Sequence, residues 1–320
     1  MTASSGTVTQ QRPATASRSI VGQGYVVAGR LCLTLLCNAV LVSSLASQSG
    51  AGAWVSLPAS TRAAGLGGAG AALVGDAGAV FSNPAGIATI RHLSVEGGYQ
   101  HFSDGSAVAS GALALRAGRL SWGFGAAARD TSGALVRSTD LLGLSSLVFR
   151  TSLFALGTSV KYVRETLAGT TADAWAGDVG VAIAVFDLMA LGASVQNIGG
   201  DLGGGARLTR RTRAGLTMNY VDPQGAYRLL TTLEGQWPSG VGAGAGAAFL
   251  IAGVEGGVVT RGVGIVGRLG YAGHSLATDP APVSWGAGIE LGRLHVDYAY
   301  RASGHSGATS THRLGVRWSP

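Results

Sequence analysis

The stretch RLHVDYAYR, Arg293 to Arg301, alternates without a break. Leu294, Val296, Tyr298 and Tyr300 fall on one side of an extended chain; Arg293, His295, Asp297, Ala299 and Arg301 fall on the other. Successive side chains of a β-strand point to opposite faces, so the segment reads as a strand with one apolar and one wet face. The same period recurs on both sides of it. Leu314, Val316 and Trp318 oppose Arg313, Gly315 and Arg317 downstream. Upstream, Val283, Trp285, Ile289 and Leu291 oppose Ser284, Gly286, Gly288 and Glu290, while Val263, Ile265, Leu269 and Tyr271 oppose Gly264 and Arg268. Earlier still, Phe154, Leu156, Val160 and Tyr162 oppose Ala155, Gly157, Ser159 and Lys161. Turn signals such as Asp104-Gly105, Asp222-Pro223 and Ser303-Gly304 separate the runs. Residues 91–320 are thereby predicted to form about 14 strands.

Composition decides what kind of β protein this is. Of 320 residues, 53 are glycine and only 12% are charged, against roughly a quarter charged in soluble domains. A soluble sandwich or propeller needs a charged outer face. Here one face is aliphatic and aromatic, and the other is largely Gly, Ala, Ser and Thr. The pattern predicts an all-β protein, a transmembrane antiparallel barrel with apolar residues toward lipid. Aromatic residues near strand ends, among them Trp122, Trp175, Trp285 and Trp318, suit interfacial girdles. The segment Val241 to Val259 is long enough for a helix, but its glycines and Glu255 favour one long strand, or two short ones meeting near Ala252-Gly253.

Lys161, Arg268, Glu290, Arg293, His295, Asp297 and Arg301 are assigned to the lumen, because a charge is tolerated against water and costly against lipid. They read as solvated charges and cross-strand pairs, or as groups that orient a ligand. The net charge of +7 is scattered, which argues against a nucleic-acid partner. The one basic cluster, Arg207 to Arg213, reads as an exposed loop or strand edge, or as an anion site. His92, His101, His274, His295, His305 and His312 are not spaced as metal ligands, and no G-x-S-x-G elbow is present. No catalytic, cofactor-binding or metal-binding residue is expected.

Residues 1–46 read as a secretory signal peptide: basic residues, the apolar run Leu31 to Leu45, and a small-residue exit at Ser44-Leu45-Ala46. The long basic region fits a start downstream of Met1, near Val21. Cys32 and Cys37 both lie in this leader, so the mature chain is expected to lack thiols.

Residues 47–90 differ from both neighbours. Thr61 to Ile90, TRAAGLGGAGAALVGDAGAVFSNPAGIATI, is rich in Gly and Ala, carries one acid, Asp76, and ends near Asn83-Pro84-Ala85-Gly86. Gly65 to Gly70 matches G-x-G-x-x-G, but no strand precedes it and no acid lies between Asp76 and Glu96, so the nucleotide-binding context is missing. Asn83 to Gly86 reads as a turn, with Pro84 fixing φ and Gly86 free to take positive φ.

This segment resembles the N-terminal signature of the PorV/PorQ outer-membrane proteins, relatives of the FadL long-chain fatty-acid transporters. Gly157 to Tyr162, Asp178 to Gly199 and Val296 to Tyr300 are similar to later parts of the same family, and the resemblance runs from Ala63 to Trp318. It implies a 14-stranded barrel with residues 47–90 as a plug or hatch inside it. Asp76, Asn83, Pro84 and Gly86 are then the plug or gate candidates. The implied setting is the bacterial outer membrane, with its lipid and the barrel-insertion machinery as partners. The implied roles are an anchoring or passage component of PorV/PorQ type, a FadL-like transporter of hydrophobic small molecules, or a type IX secretion-associated or purely structural barrel. The chain ends Arg317-Trp318-Ser319-Pro320 and lacks the terminal aromatic common in such barrels.

The leader reading predicts a mature N-terminus near Ser47, with the protein in the outer-membrane fraction and heat-modifiable gel mobility. N-terminal sequencing and fractionation test it; a soluble periplasmic product would refute it.

Overall fold

The computed structural model describes residues 1–2, 47–48, 52–57, 59–131, 139–167, 170–185, 188–203, 206–221, 226–239, 242–244, 248–273, 281–303 and 309–320. The predicted leader lies outside the described residues, apart from Met1 and Thr2.

Fourteen strands close into one antiparallel barrel. In chain order they are β1 Leu93–Phe102, β2 Ala107–Ala117, β3 Leu120–Asp130, β4 Thr139–Arg150, β5 Phe154–Leu167, β6 Thr170–Val185 and β7 Met189–Gly199. They continue as β8 Arg210–Asn219, β9 Tyr227–Ser239, β10 Phe249–Thr260, β11 Val263–Ala272, β12 Val283–Leu291, β13 Leu294–Arg301 and β14 Thr311–Trp318. Each strand pairs with the next, and β14 returns to β1, with Leu314 opposite Tyr99 and Trp318 opposite Val95. Closure removes the sheet edges that lipid could not satisfy. The join expected near Ala252-Gly253 is absent, since β10 runs unbroken through it, but β10 begins only at Phe249. Gly242–Gly244 stands apart from it and pairs with Ser47–Gln48.

The alternation seen in the sequence becomes the two surfaces of the wall. Val160, Ile265, Leu269, Tyr271 and Leu314 are each at least half exposed, whereas Ser159, Lys161, Arg268 and Arg313 are buried. The exterior is a continuous apolar belt, the surface that a bilayer covers.

The two ends of the barrel differ. At one end every connection but 220–226 is two or three residues long. At Arg261-Gly262 both residues take positive φ, +51° and +79°, as a two-residue hairpin with strand-matched twist requires. The start of β1 and the end of β14 lie at this short-turn end. The connections 131–138, 200–209, 240–248, 273–282 and 302–310 all lie at the other end. Short turns on the periplasmic side and long loops outside are the usual arrangement of outer-membrane barrels.

Residues 52–90 lie inside the ring. They form a helix, α1 (Thr61–Gly65), and the 3-10 turns Ala53–Ser56, Ala77–Phe81 and Pro84–Thr89. Leu66, Ala71, Ala77, Val80, Ala85 and Ile87 are fully buried. Their neighbours belong to strands all round the barrel: Val80 and Ile87 meet β3 at Gly123, Pro84 and Ala85 meet β5 at Gly157, Leu66 meets β10 at Gly253, and Gly65 meets β12 at Gly286.

Exchanging the lipid-facing mid-strand Val160 for Arg is expected to cost about 2–4 kcal/mol, and the same exchange at Val258, near a strand end, about 0–1 kcal/mol. Urea unfolding from phospholipid vesicles measures both; equal costs would contradict the depth gradient.

Candidate functional site

The site is the contact between the inner segment and the wall. On the β2–β6 side it is mostly apolar. Val80, Ala85, Ile87 and Ala88 pack with Ala114, Val148, Ala155, Val163 and Ala182 in one core. Glycine sets how close the two surfaces come. A methyl group on Gly180, Gly192, Gly270 or Gly315 would collide with the Asn83 side chain, the Ala71 carbonyl, the Gly67 amide or the Thr61 side chain, respectively. The wet face is rich in glycine because a backbone lies against it, and not only because water does.

On the β8–β14 side the contact is ionic. Asp76 and Arg62 of the segment join Glu255 (β10), Arg268 (β11), Asp297 (β13) and Arg317 (β14) in a closed circuit of alternating charge. Arg62 donates to Asp76 at 2.9 Å and grips both oxygens of Glu255 at 2.7 and 2.8 Å. Arg268 bridges Glu255 and Asp297, each at 2.7 Å. Arg317 donates to Asp297 at 3.1 Å and closes the circuit on Asp76. Burial alone would raise the Asp76 carboxyl, but Arg317 and Arg62 outweigh it and hold the carboxyl at about 2. Asp76 is therefore ionised across the physiological range. Three cations and three anions leave the circuit neutral.

A second polar group sits beside the first. The Gly70 and Ala71 amides both donate to Glu234 Oε2 at 2.7 Å, and Arg213 joins Glu234 Oε1 to the Gly68 carbonyl, each at 2.7 Å. The G-x-G-x-x-G run does cradle an anion, but that anion is a carboxylate of the wall. Helix α1 precedes the run instead of following it, which is the reverse of a dinucleotide loop.

Asn83 is fully buried and caps the turn Pro84–Thr89, accepting from the Ala85 amide at 3.0 Å. Its amide donates to the carbonyls of Ala71 (2.6 Å) and of Val181 in β6 (3.0 Å). Pro84 occupies the first turn, where its missing N–H costs nothing. Gly86 differs from expectation. It does not take positive φ; it sits within the 3-10 turn, where a Cβ would lie 2.7 Å from Ala79 Cβ and 3.0 Å from the Leu73 carbonyl.

The lumen candidates separate into groups. Arg268 and Asp297 join Asp76 in the circuit. Lys161 is buried at mid-strand in β5, 2.9 Å from both Asp178 and the Asn197 side chain. Arg301 donates to the Ala281 carbonyl at 2.7 Å, at the long-loop end. Glu290 and His295 approach to 3.5 Å near the short turns, and Arg293 is exposed in the turn itself. The Arg207–Arg213 cluster is not one patch: Arg207 faces Asp201 at 3.3 Å in the open, whereas Arg213 is buried against Glu234. Arg62, Glu255 and Arg317 escaped the sequence reading. Arg317 lies on the recognised wet face of β14, but which charges meet across strands depends on register, which alternation does not reveal.

Beside the segment a cleft runs between Trp54, Val55, Leu57 and Phe81 on one side and Val108, Ala127 and Leu142 on the other. These wall residues lie in the parts of β2, β3 and β4 nearest the long loops. Ser110 and Arg313 also line the cleft, which is otherwise apolar and, as it stands, too narrow for more than a water-sized guest.

No protein-family model and no curated protein matches the sequence. Solved structures do match the fold. The Ralstonia pickettii toluene transporter TbuX is similar with a TM-score of 0.54 at 13% identity, over 81% of this chain and 96% of that one. The Pseudomonas putida toluene transporter TodX has a TM-score of 0.54 at 13% identity, over 87% and 99%. A Pseudomonas aeruginosa FadL homologue has 0.53 at 12%, over 81% and 98%. The chain thus has the barrel fold of FadL-type transporters.

Gly192→Val and Gly270→Val are expected to unseat the segment while leaving the barrel intact. Cysteine introduced at Ser82 then reacts at least severalfold faster with a bulky maleimide than in the parent. Unchanged labelling would show that the glycines do not set the fit.

Proposed function

We propose that this chain is an outer-membrane barrel of FadL type that passes hydrophobic small molecules, with the inner segment as its gate. The observation that carries the reading is the apolar cleft between that segment and β2–β4 at the long-loop end. A hydrophobic molecule entering there meets Trp54, Leu57 and Phe81 on the segment itself. The cleft admits such a guest only if the segment moves, so entry and opening are one event.

The ionic side is suited to release. Within the circuit, two links cross between segment and wall: Arg62 to Glu255, and Arg317 to Asp76. When they part, the segment keeps the pair Arg62–Asp76 and the wall keeps Glu255–Arg268–Asp297–Arg317. Each half is neutral by itself. Separation therefore strands no unpaired charge, which is the costly outcome when a buried ion pair is broken. The anchoring role implied by the PorV/PorQ resemblance rests on the sequence likeness alone. The toluene transporters and the FadL homologue of the same fold favour passage of hydrophobic molecules.

Proteoliposomes containing the protein are expected to take up toluene, and Asp76→Asn is expected to raise the rate severalfold. That exchange weakens the links to Arg62 and Arg317, each a charge-assisted bond of about 1.5–3 kcal/mol. Wild-type liposomes no more permeable to toluene than empty ones would refute the reading.

A further inference from the structure

The short-turn mouth holds a second hollow, about 310 Å³, whose walls include Thr89, Ile90, Arg91, Arg293, His295 and Pro320. It differs in chemistry from the apolar cleft and lies at the opposite end of the barrel. Arg91 and Arg293 are exposed, and among the described residues neither guanidinium has a hydrogen-bond or ion-pair partner. The interior arginines behave otherwise: Arg62, Arg213, Arg268, Arg313 and Arg317 are all engaged. Two further polar atoms at the hollow, Thr89 Oγ1 and His295 Nδ1, are shielded from solvent and lack a hydrogen bond. His295 Nδ1 is 3.5 Å from Glu290 Oε1, too far for a good one. Glu290 is also shared with Arg228 at 3.6 Å, so it does not neutralise the two free arginines.

We propose that this hollow is an anion site, taking the carboxylate or phosphate of an amphiphile's headgroup. Two guanidinium groups present planar N–H forks that match the oxygens of either anion. The Thr89 hydroxyl and the His295 ring lie behind them, shielded from solvent, and Ile90 gives the start of an alkyl chain an apolar edge. Gly75 also lines the hollow, and the next residue is Asp76 of the ionic circuit. A bound headgroup thus sits beside the segment's ionic attachment. The site stands independently of the passage reading, because binding alone defines it.

The full chain in a neutral maltoside detergent is titrated calorimetrically with inorganic phosphate and with decanoate. Saturable binding of at least one is expected. The double variant Arg91→Gln, Arg293→Gln is expected to weaken it about tenfold or more while keeping heat-modifiable mobility. Decanoate binding more tightly than phosphate assigns the site to an amphiphile; tighter phosphate assigns it to a free anion, which overturns the headgroup assignment. Wild type that binds neither probe, or a folded double variant that binds as wild type does, overturns the site. Toluene uptake by the double variant is read separately. Uptake that fails in wild type sinks the passage reading and leaves the binding result standing.

Discussion

An irregular chain inside a barrel carries backbone amides and carbonyls that no helix or sheet satisfies, and buried ones left unpaired are costly. In this protein the wall supplies the partners. Glu234 receives the Gly70 and Ala71 amides, Glu96 receives Gly78, Ser94 receives Ala77 and Glu165 receives Gly52. In the other direction Gln196 donates to the Phe81 carbonyl, Ser194 to that of Ser82 and Arg213 to that of Gly68. The polar residues of the inner face thus do for residues 52–90 what a neighbouring strand does for a strand. They fix the segment in one place.

That dependence explains why charges and glycines share the inner face. Glycine lets two backbones approach, and long polar side chains reach across where the backbones diverge. The division around the ring follows. Toward β2–β6 the contact is mostly alkyl against alkyl, with a few directed bonds such as Glu165 to the Gly52 amide and Asn83 to the Val181 carbonyl. Toward β8–β14 it is made of discrete charged bonds, each with a geometry. An apolar guest can replace contacts of the first kind with similar ones of its own. It has nothing to offer the second, so that side keeps its register or lets go as a unit.

The barrel was legible because strand alternation is a local property. Val263 to Tyr271 and Val283 to Leu291 declare their faces within nine residues each, and the count of about 14 followed from them. Parity assigned Lys161, Arg268 and Asp297 to the wet face, and all three side chains are buried, whereas Arg293 lies exposed in a turn. The ionic partners were not legible. Asp76 meets Arg317 across 241 positions of sequence, and no spacing rule links residues that far apart. Glu255 lay in an apolar run, where it served mainly to argue against a helix. Gly86 shows a different limit: the need for a missing side chain was readable, but the reason is packing against Ala79 and Leu73, not a left-handed turn.

The join between segment and wall is short. Ile90 is separated from the first residue of β1, Leu93, by Arg91 and His92 alone. Two residues span roughly 7 Å when fully extended. In the proposed opening the segment is thus a captive rather than a cork: its Ile90 end cannot travel, and any displacement falls on the chain toward Trp54. Movement of this kind is a swing about a fixed heel. Its widest arc falls beside the apolar cleft, at the mouth farthest from the heel.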